Sequence, residues 1–401
     1  MLVKKTLAYM LLCRCVYNFC MRLLRLKTNY FRNLSDTDVN FSPQFNFIYG
    51  DNGSGKSSLL EAIYFLSLGR SFRSTLASRA IQYDASKFNL FAVVVGDSIT
   101  SLGIEKSRYG KTRIKIGNNA QLLSDLIKLL PIQLVSPTSY QLLTGGPKIR
   151  RQFIDWGVFH VEPQFFSVWQ RFQQTLKQRN ASLQNNYPGD QLRIWDDKFI
   201  ELSSKLTGMR EQYFKQLKPI VLELLESLGN LDGLSLTFFQ GWDEKKQLAE
   251  QLNDSLTRDS LVGYTQYGPQ RADLLVRLQD SPANEVLSRG EQKILAYALQ
   301  LAQGLLLEKL TGKVCIYLFD DLFAELDDNR QTFLISLLSQ LEAQVFITVI
   351  DNTLIEKIKF AMNGKIFCLQ KGVLSETKML SSVEKCHEQY DLIDETNLTT
   401  I

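Results

Sequence analysis

Histidine is scarce in this sequence, with only His160 and His387 among 401 residues. Two histidines argue against a histidine-built metal site and against a Ser-His-Asp triad. Six cysteines are present, but they form no C-x-x-C metal motif and no framework of disulfide spacings. This cysteine usage is typical of a reducing compartment, and we expect a cytoplasmic protein.

An excess of one charge is also lacking, because 46 basic residues nearly balance 42 acidic ones and leave a net charge of +4. A dedicated nucleic-acid-binding domain is often more basic than this. Any contact with DNA must therefore come from a local basic patch or from a dimer that doubles the charge. No apolar run reaches the length that spans a bilayer, so we expect no membrane partner.

The first 20 residues imitate a signal peptide, with two lysines followed by an apolar run. Arg14 interrupts that run, and no cleavage site of small residues follows it. Met21 instead opens a segment that alternates like a first strand. We expect residues 1–20 to be an N-terminal extension outside the fold.

The chain length predicts two domains. Short alternating segments over 21–48 and 88–118 predict strands. From about 148 to 229, apolar residues recur at threes and fours and predict helices, kinked or broken at Pro219. The expected organisation is an α/β nucleotide-binding head made of residues 21–147 and 265–380, a mostly helical arm over 148–264, and a mobile acidic tail over 381–401.

A glycine-rich turn, "GDNGSGKS" at 50–57, lies between a buried strand and an amphipathic helix. It fits the phosphate-loop pattern G-x-x-x-x-G-K-[ST] in the strand–turn–helix context that the pattern requires, whereas a plain glycine turn is the alternative. The backbone N–H groups of such a loop and the helix dipole bind an anion. Lys56 would reach the β- and γ-phosphates, and the Ser57 hydroxyl would ligate Mg²⁺. The predicted nucleotide-binding residues are Gly50, Asp51, Asn52, Gly53, Ser54, Gly55, Lys56, Ser57 and Ser58.

An apolar run that ends in two acids, "VCIYLFDD" at 314–321, predicts a central parallel strand buried on both faces. Asp320 would emerge beside the phosphates and hold Mg²⁺ through water. Asp321 would orient or deprotonate the attacking water, so Asp321 and Lys56 are the predicted catalytic residues. A solvated strand end is the alternative interpretation.

A serine and a glycine precede a long helical pattern in "LSRGEQKILAYALQLAQ" at 287–303. Ser288 is a natural N-cap, and a capped core helix is the alternative to a functional role. The order of phosphate loop, capped helix and acidic strand is the arrangement of ABC-type ATPases, in which this helix carries the signature motif. The segment "AELDDNR" at 324–330 looks like their D-loop, with Asp327 as its acid.

These motifs together closely resemble one family, RecF, the bacterial recombination and repair ATPases. The resemblance runs from Met21 to about Val373. It rests on "FRNL", "GDNGSGKSSLLEAIYFLSLGRSFRS", "LTGGPKIRRQFIDWGVFHVEP", "LKQRNASL", "YGPQRADL", "LSRGEQK" and "LFDDLFAELDD". The phosphate loop alone identifies only an NTPase. "GGPKIRRQFIDWG" and "GPQRADL" are not general features of ABC-type ATPases, and they make the resemblance specific.

The resemblance implies a cytosolic ATPase with an SMC-like head and a short arm in place of a long coiled coil. It implies that ATP, with Mg²⁺, acts mainly as a dimerisation switch and is hydrolysed slowly in response to DNA. The implied partners are double-stranded and gapped DNA, a second copy of the chain, RecR and RecO, with RecA loaded as the result. The residues implied to face the γ-phosphate or the dimer seam of the partner subunit are Ser288, Arg289, Gly290, Glu291 and Asp327.

Several positions depart from the family pattern. Gln270 stands where members often carry histidine, and Glu291 stands where they often carry glutamine. The usual switch histidine of ABC-type ATPases is absent, and Thr348 is the nearest candidate for its place. Gln133, in "PIQLVSP", is the candidate for the Q-loop glutamine and a third metal ligand.

Basic residues cluster in three places, around Arg70, around Lys148 and around Arg179. The first group also contains Arg73 and Arg79, the second Arg150 and Arg151, and the third Lys177. We expect at least one group to contact DNA phosphates, which would position the protein without reading sequence. A solvated surface or ion pairs to the arm are the alternatives. The candidate DNA-binding residues are Arg70, Arg73, Lys148, Arg150 and Arg151.

Three rival functions share part of this pattern. An ABC transporter ATPase subunit would have the same loop and signature helix, but usually neither "GGPKIRR" nor a helical insertion. A phosphate-loop kinase for small molecules would need an acceptor pocket and no signature from a second copy. A structural clamp that does not hydrolyse ATP would leave Asp321 without a catalytic role.

Overall fold

The computed structural model describes residues 21–96, 98–185, 189–228, 231–321, 326–340, 343–350 and 364–380. The predicted N-terminal extension at 1–20 and the acidic tail at 381–401 lie outside these residues. The chain divides into two compact units. The first joins the two ends of the chain, Met1–Pro137 and Gly312–Ile401, and the second is the continuous stretch Thr138–Thr311.

Strands and helices alternate along the chain, singly or in runs of two to four. The strands are β1 (Arg22–Asn29), β2 (Thr37–Asn40), β3 (Phe45–Tyr49), β4 (Lys87–Val95), β5 (Ile99–Ser107), β6 (Thr112–Ile116), β7 (Asn119–Ala120), β8 (Ile132–Val135), β9 (Leu234–Phe239), β10 (Asp273–Leu278), β11 (Ser281–Pro282), β12 (Ile316–Phe319), β13 (Val345–Val349), β14 (Gly364–Gln370) and β15 (Val373–Leu380). The helices are α1 (Lys56–Leu68), α2 (Leu123–Leu129), α3 (Gln141–Thr144), α4 (Pro147–Val161), α5 (Phe165–Gln184), α6 (Gly189–Leu228), α7 (Leu248–Val262), α8 (Ala283–Val286), α9 (Arg289–Thr311) and α10 (Asp328–Gln340). None of the helices among the described residues is both long and apolar enough to cross a membrane.

The mixed sheet of the first unit has the strand order β15-β14-β3-β13-β12-β8. The strands from β14 to β8 run parallel, and only β15 is antiparallel to its neighbour. All four residues of β12 are buried, and the strand has parallel neighbours on both sides. The expectation of a central, doubly covered strand before the paired acids is confirmed.

An antiparallel sheet, in the order β2-β1-β4-β5-β6-β7, completes the strands of the first unit. The strands expected over 88–118 correspond to β4, β5 and β6. One face of this sheet contributes Leu26, Leu90 and Ile104 to a core that also contains α1 and strands of the mixed sheet. Phe65 of α1 packs edge-to-face against Phe88 of β4, with ring centroids 5.1 Å apart.

Helix α1 is buried on nearly every side rather than along one stripe. This differs from the amphipathic helix that was expected, because α1 contacts strands from both sheets. Even Glu61 is fully buried. Its carboxylate accepts two hydrogen bonds from the Arg32 guanidinium, at 2.6 and 2.9 Å. The pair shields a charge that would otherwise be costly to bury.

The second unit is built around α6, which runs unbroken through 40 residues and contains Pro219. Of the two outcomes expected at Pro219, a kink or a break, the break does not occur. The apolar positions Leu217, Ile220, Val221 and Leu224 lie on both sides of the proline and are all buried. Their packing outweighs the one backbone hydrogen bond that proline cannot donate.

Strands β9, β10 and β11 form a small antiparallel sheet within the second unit. This unit extends to Thr311, whereas the sequence placed the return to the head at 265. Pairing of β10 with β9 joins the two sides of the predicted boundary. The division into a head and an arm as functional domains stays a prediction.

The two most specific family segments contact each other in the second unit. Arg150 of "GGPKIRRQFIDWG" forms a two-pronged ion pair with Asp273 of "GPQRADL", at 2.7 and 2.9 Å. Arg151 donates to the Ala272 carbonyl at 2.8 Å. Arg210 of α6 bonds both carboxylate oxygens of Asp155, at 2.7 and 2.9 Å. The segments therefore form one structural cluster.

Arg179 was grouped with the candidate DNA contacts, but it is completely buried. Its guanidinium donates to Asp196 at 2.6 Å, to Asp259 at 3.1 Å and to the Thr265 hydroxyl at 2.7 Å. The last two residues come from beyond α6. Arg179 therefore fastens three segments of the second unit together and cannot reach DNA.

Replacing Arg179 with leucine should lower the free energy of unfolding of the second unit by about 3–5 kcal/mol, because two carboxylates lose their buried partner. All four tryptophans, Trp156, Trp169, Trp195 and Trp242, lie in this unit. Tryptophan fluorescence during urea unfolding therefore follows it selectively. The control Arg171→Leu, at an exposed position of the same helix, should change the value by less than about 0.5 kcal/mol. Equal losses in both variants would contradict the stabilising role of the buried Arg179 ion pairs.

Candidate nucleotide-binding site

The predicted phosphate loop connects the end of β3 to the start of α1, as the pattern requires. Gly50 allows the loop to leave the sheet, because a Cβ there would lie 2.1 Å from the Leu369 carbonyl oxygen. Gly55 takes a φ of 116° immediately before the helix, a conformation that other residues rarely adopt. The backbone amides that follow form the anion-binding end of α1.

The loop is held from two sides by segments distant in sequence. Asn33 donates from its side chain to the Gly53 carbonyl at 3.0 Å, and accepts a hydrogen bond from the Ser58 hydroxyl at 2.7 Å. On the other side, the Gly372 N–H donates to the Ser54 carbonyl at 2.9 Å. Of the predicted loop residues, Asp51, Asn52 and Gly53 stay exposed, whereas Ser58 is buried against Asn33.

Lys56 is only 5% exposed, although it carries a charge. Its ammonium group donates to the Gly50 carbonyl at 2.6 Å and to the Asp51 carbonyl at 3.2 Å. The side chain therefore folds back over the loop instead of extending into solvent. This places a positive charge directly beside the backbone amides that would surround a phosphate.

Ser57 and Asp320, the two principal predicted metal ligands, lie in contact. The Ser57 hydroxyl donates to Asp320 Oδ1 at 3.0 Å. The Asp320 N–H donates to the Val135 carbonyl at 2.9 Å, which fixes this residue at the carboxyl end of the parallel strands. Mg²⁺ takes oxygen ligands and commonly uses one or two carboxylates together with phosphates and water. The hydroxyl and carboxylate of these two residues fit that ion.

Asp320 is largely buried, and this burial raises the pKa of its carboxyl group above the usual value. Hydrogen bonds from Ser57 and Thr348 act in the opposite direction. The site therefore holds a carboxylate that gains from a nearby cation and that protonates more readily than an exposed aspartate.

Thr348 joins the two acids at the end of β12. It is fully buried on β13, and its hydroxyl donates to Asp320 Oδ1 at 3.0 Å. The Thr348 hydroxyl oxygen in turn accepts a hydrogen bond from the Asp321 N–H at 2.9 Å. Asp321 takes a φ of 50°, in the left-handed region that aspartate tolerates better than most residues. Thr348 thus stabilises the turn that aims both carboxylates.

The backbone of Gln133 lies before this edge of the sheet. It lies within β8 opposite Tyr317, three residues before Asp320 along the neighbouring strand. At about 3.3 Å per residue, the backbone positions are roughly 10 Å apart along the strand direction. Ser136, directly after β8, is buried nearer the strand ends. The role of Gln133 as a third metal ligand stays a prediction.

The predicted signature segment opens α9 in the second unit. The Ser288 hydroxyl accepts from the Glu291 N–H at 3.3 Å, and Glu291 Oε2 accepts from the Ser288 N–H at 2.8 Å. This reciprocal pair is a capping box, so glutamate serves at 291 as glutamine would. Ser288, Arg289 and Gly290 are exposed, with the Arg289 guanidinium 5.0 Å from the Tyr140 ring.

Asp327 is exposed at the start of α10, where its side chain accepts from the Arg330 N–H at 2.9 Å. Residues 324 and 325 of the predicted D-loop lie outside the described residues. Among the residues that the structure does describe, no three His, Cys, Asp or Glu side chains gather into a metal cluster. A magnesium site of the kind described above does not need one.

The candidate DNA-binding residues have different surroundings. Arg73 is half exposed and lies 3.5 Å from the Ser58 hydroxyl and 3.8 Å from Glu61, beside the phosphate loop. Arg70 hydrogen-bonds Tyr64, whose pKa is raised mainly by burial. Lys148 is exposed. Arg150 and Arg151 take part in the internal cluster described above, and their contact with DNA stays a prediction.

Comparisons with known proteins agree with this geometry. A family model described as "RecF/RecN/SMC N terminal domain" matches residues 22–375. A DNA replication and repair protein RecF of Pseudomonas putida is 46% identical over 363 residues, which cover 89% of this chain and 99% of the relative. A protein of the same name from Coxiella burnetii is 46% identical over 349 residues, covering 86% and 97%.

Solved structures give the same picture. One described as "Structure of the recombination mediator protein RecF-ATP in RecFOR pathway" superposes with a TM-score of 0.81 at 27% identity, covering 91% of this chain and 100% of that one. The Smc head domain of Pyrococcus furiosus, with an extended coiled coil, has a TM-score of 0.55 at 16% identity, covering 90% and 96%. The second match shows the fold alone, and both support the predicted ABC-type ATPase head with a helical insertion.

Replacing Thr348 with valine should weaken Mg²⁺-dependent ATP binding about tenfold or more, because Asp320 loses a hydrogen bond to its charged form. The same loss raises the pKa of Asp320 further, so the fall in affinity on acidification should begin at a higher pH. Thr348→Ser keeps the hydroxyl and should restore both properties. Titration of a fluorescent ATP analogue from mildly acidic to neutral pH measures them. An unchanged pH profile in the valine variant would rule out this role.

Proposed function

The chain belongs to the RecF family, and on that premise we propose that it is an ATP-dependent recombination mediator whose nucleotide joins two copies on DNA. The observation that carries the proposal is the contact between Ser57 and Asp320 beside a structured phosphate loop. These residues are 263 positions apart in sequence, and the fold brings together the two groups that Mg²⁺ and ATP require. A RecF structure with ATP at 27% identity supports the choice of nucleotide.

The clamp would be closed by a second copy of the chain. The exposed end of α9 offers backbone N–H groups and the Ser288 hydroxyl, which suit a γ-phosphate presented by the partner subunit. Arg289, Gly290 and Asp327 would complete the seam. Moving a dimer from mostly open to mostly closed requires about 5.5 kcal/mol of differential binding. Two shared nucleotides would contribute this through contacts that exist only in the closed state.

Hydrolysis would release the clamp. Lys56 would stabilise charge on the β- and γ-phosphates, and Asp321 would orient or deprotonate the attacking water. Mg²⁺, when bound by Ser57 and Asp320, would neutralise phosphate charge. Loss of the γ-phosphate removes the contact with the signature segment. We expect slow turnover that responds to DNA, because ATP serves here as a switch.

The biological setting follows from the family. We propose that the chain acts in the cytoplasm on double-stranded and gapped DNA, with RecR and RecO as partners and RecA loading as the outcome. The head would combine residues 21–147 with 265–380, and the helical arm would span 148–264. Membership of the RecF family favours this reading over the transporter subunit and the small-molecule kinase.

Replacing Ser288 with arginine should leave ATP affinity unchanged and abolish ATP-dependent dimerisation, because the bulky cation occupies the place of the partner's γ-phosphate. Sedimentation velocity in saturating ATP measures the dimer. Ser204→Arg makes the same change at an exposed position of α6 and should dimerise normally. Lys56→Ala should fail to dimerise because it loses ATP itself. A normal dimer of the Ser288 variant would refute the arrangement across two subunits.

A further inference from the structure

The hairpin between β5 and β6 carries the densest run of positive charge outside the clusters recognised from the sequence. Its segment 106–115, "KSRYGKTRIK", contains five cations and no acid. The cations are Lys106, Arg108, Lys111, Arg113 and Lys115. We call residues 106–113 the hairpin tip. Neither the nucleotide site nor the internal ion pairs of the second unit account for this charge.

Two tyrosines at this place are almost fully exposed. Tyr109, in the hairpin tip, is 98% exposed, and Tyr83, in the turn before β4, is 94% exposed. A single exposed aromatic residue needs no explanation. Two such rings amid basic side chains form a different kind of surface, since rings of this kind bind bases when a cationic surface binds the phosphates.

Hydrogen bonds from Arg108 join the two segments that carry the tyrosines. Its guanidinium donates to the carbonyls of Gln82, Tyr83 and Ala85 at 2.8, 3.0 and 3.0 Å. Its backbone N–H also donates to the Ser86 carbonyl at 2.9 Å. One side chain therefore fastens the turn that presents Tyr83 to the hairpin that presents Tyr109. The Arg108 guanidinium therefore stabilises these two segments and is not one of the groups that would contact a ligand.

The hairpin is further fixed by Lys106, whose ammonium donates to the Gly110 carbonyl at 2.6 Å. This bond closes the loop that carries Tyr109. The backbone on which Tyr83 and Tyr109 stand is thus ordered before any ligand arrives, which lowers the entropic cost of binding.

The remaining charges favour a polyanion. Glu105 is buried between Lys87 and Arg113, and Asp84 is the exposed acid of the turn. Across 83–87 and 105–115 there are six cations and two acids, a surplus equal to the +4 of the whole chain. Lys111 lies exposed at the tip, and Arg113 remains 78% exposed in spite of its ion pair.

We propose that this hairpin tip and the turn carrying Tyr83 form a binding site for single-stranded DNA. Phosphates pair with Lys111 and Arg113, and unstacked bases stack on Tyr109 and Tyr83. A duplex offers its phosphates but hides its base faces, so the exposed rings distinguish the single strand. The biological meaning rests on the proposed function, but the site binds an oligonucleotide whether or not ATP joins two copies.

Fluorescence anisotropy of a labelled oligothymidine, titrated with the full chain without nucleotide, tests the proposal. Tyr83→Ala and Tyr109→Ala should each weaken binding about five- to hundredfold, and the double variant by about the product of the two losses, since each stacked base contributes separately to affinity. Tyr109→Phe keeps the ring and should bind normally, whereas Tyr109→Leu should behave like the alanine variant. Affinity of the double variant for a blunt duplex should change by less than twofold, and its affinity for an ATP analogue should be that of the parent.

Lys111→Ala tests the phosphate contact separately. For single strands, log affinity falls as log salt concentration rises, and each lost phosphate contact makes this slope shallower by about 0.7. The tyrosine variants should leave this slope unchanged. Oligothymidine binding that is absent in the parent, or unaltered in the double tyrosine variant, would overturn the proposal. Equal losses for duplex and single strand would also overturn it, as would an unchanged slope in Lys111→Ala.

Discussion

The hydrogen bond between Ser57 and Asp320 is the contact on which the candidate site depends. It exists because β3, β13, β12 and β8 run parallel and therefore end at one edge. The phosphate loop leaves β3 at this edge, and the acids leave β12 there. Thr348, on the strand between them, fixes the acids in place. A metal ion and a triphosphate need little more from one chain than this edge provides.

The proposed closure by a second copy starts from the same edge. In this proposal the loop and the acids would cover one side of a nucleotide, and the exposed N-terminal end of α9 would offer its backbone donors to the γ-phosphate of the partner subunit. Glu291 and Ser288 cap each other, so the helix is stable before any phosphate arrives. An arriving γ-phosphate would compete with the Glu291 carboxylate for the backbone N–H of Ser288.

Much of this could be predicted from local sequence, because motifs and their order are local. The loop, the buried strand before Asp320 and the capped helix at Ser288 each follow from a short pattern. Long-range features could not be read this way. The register that pairs Gln133 with Tyr317, the burial of Arg179, and the hydrogen bonds from Asn33 and Gly372 to the phosphate loop arise between segments distant in sequence. Runs of basic residues were the least informative pattern, since the sequence does not distinguish a cation in an internal ion pair from a cation on the surface.

The central claim is that ATP, and not ADP, joins two copies of the chain. Light-scattering mass of the unmodified protein without nucleotide, with ADP and with ATP plus Mg²⁺ tests it directly. The account predicts a mass near the 45.9 kDa of one chain in the first two conditions and about twice that value with ATP. The same mass in all three conditions would contradict it.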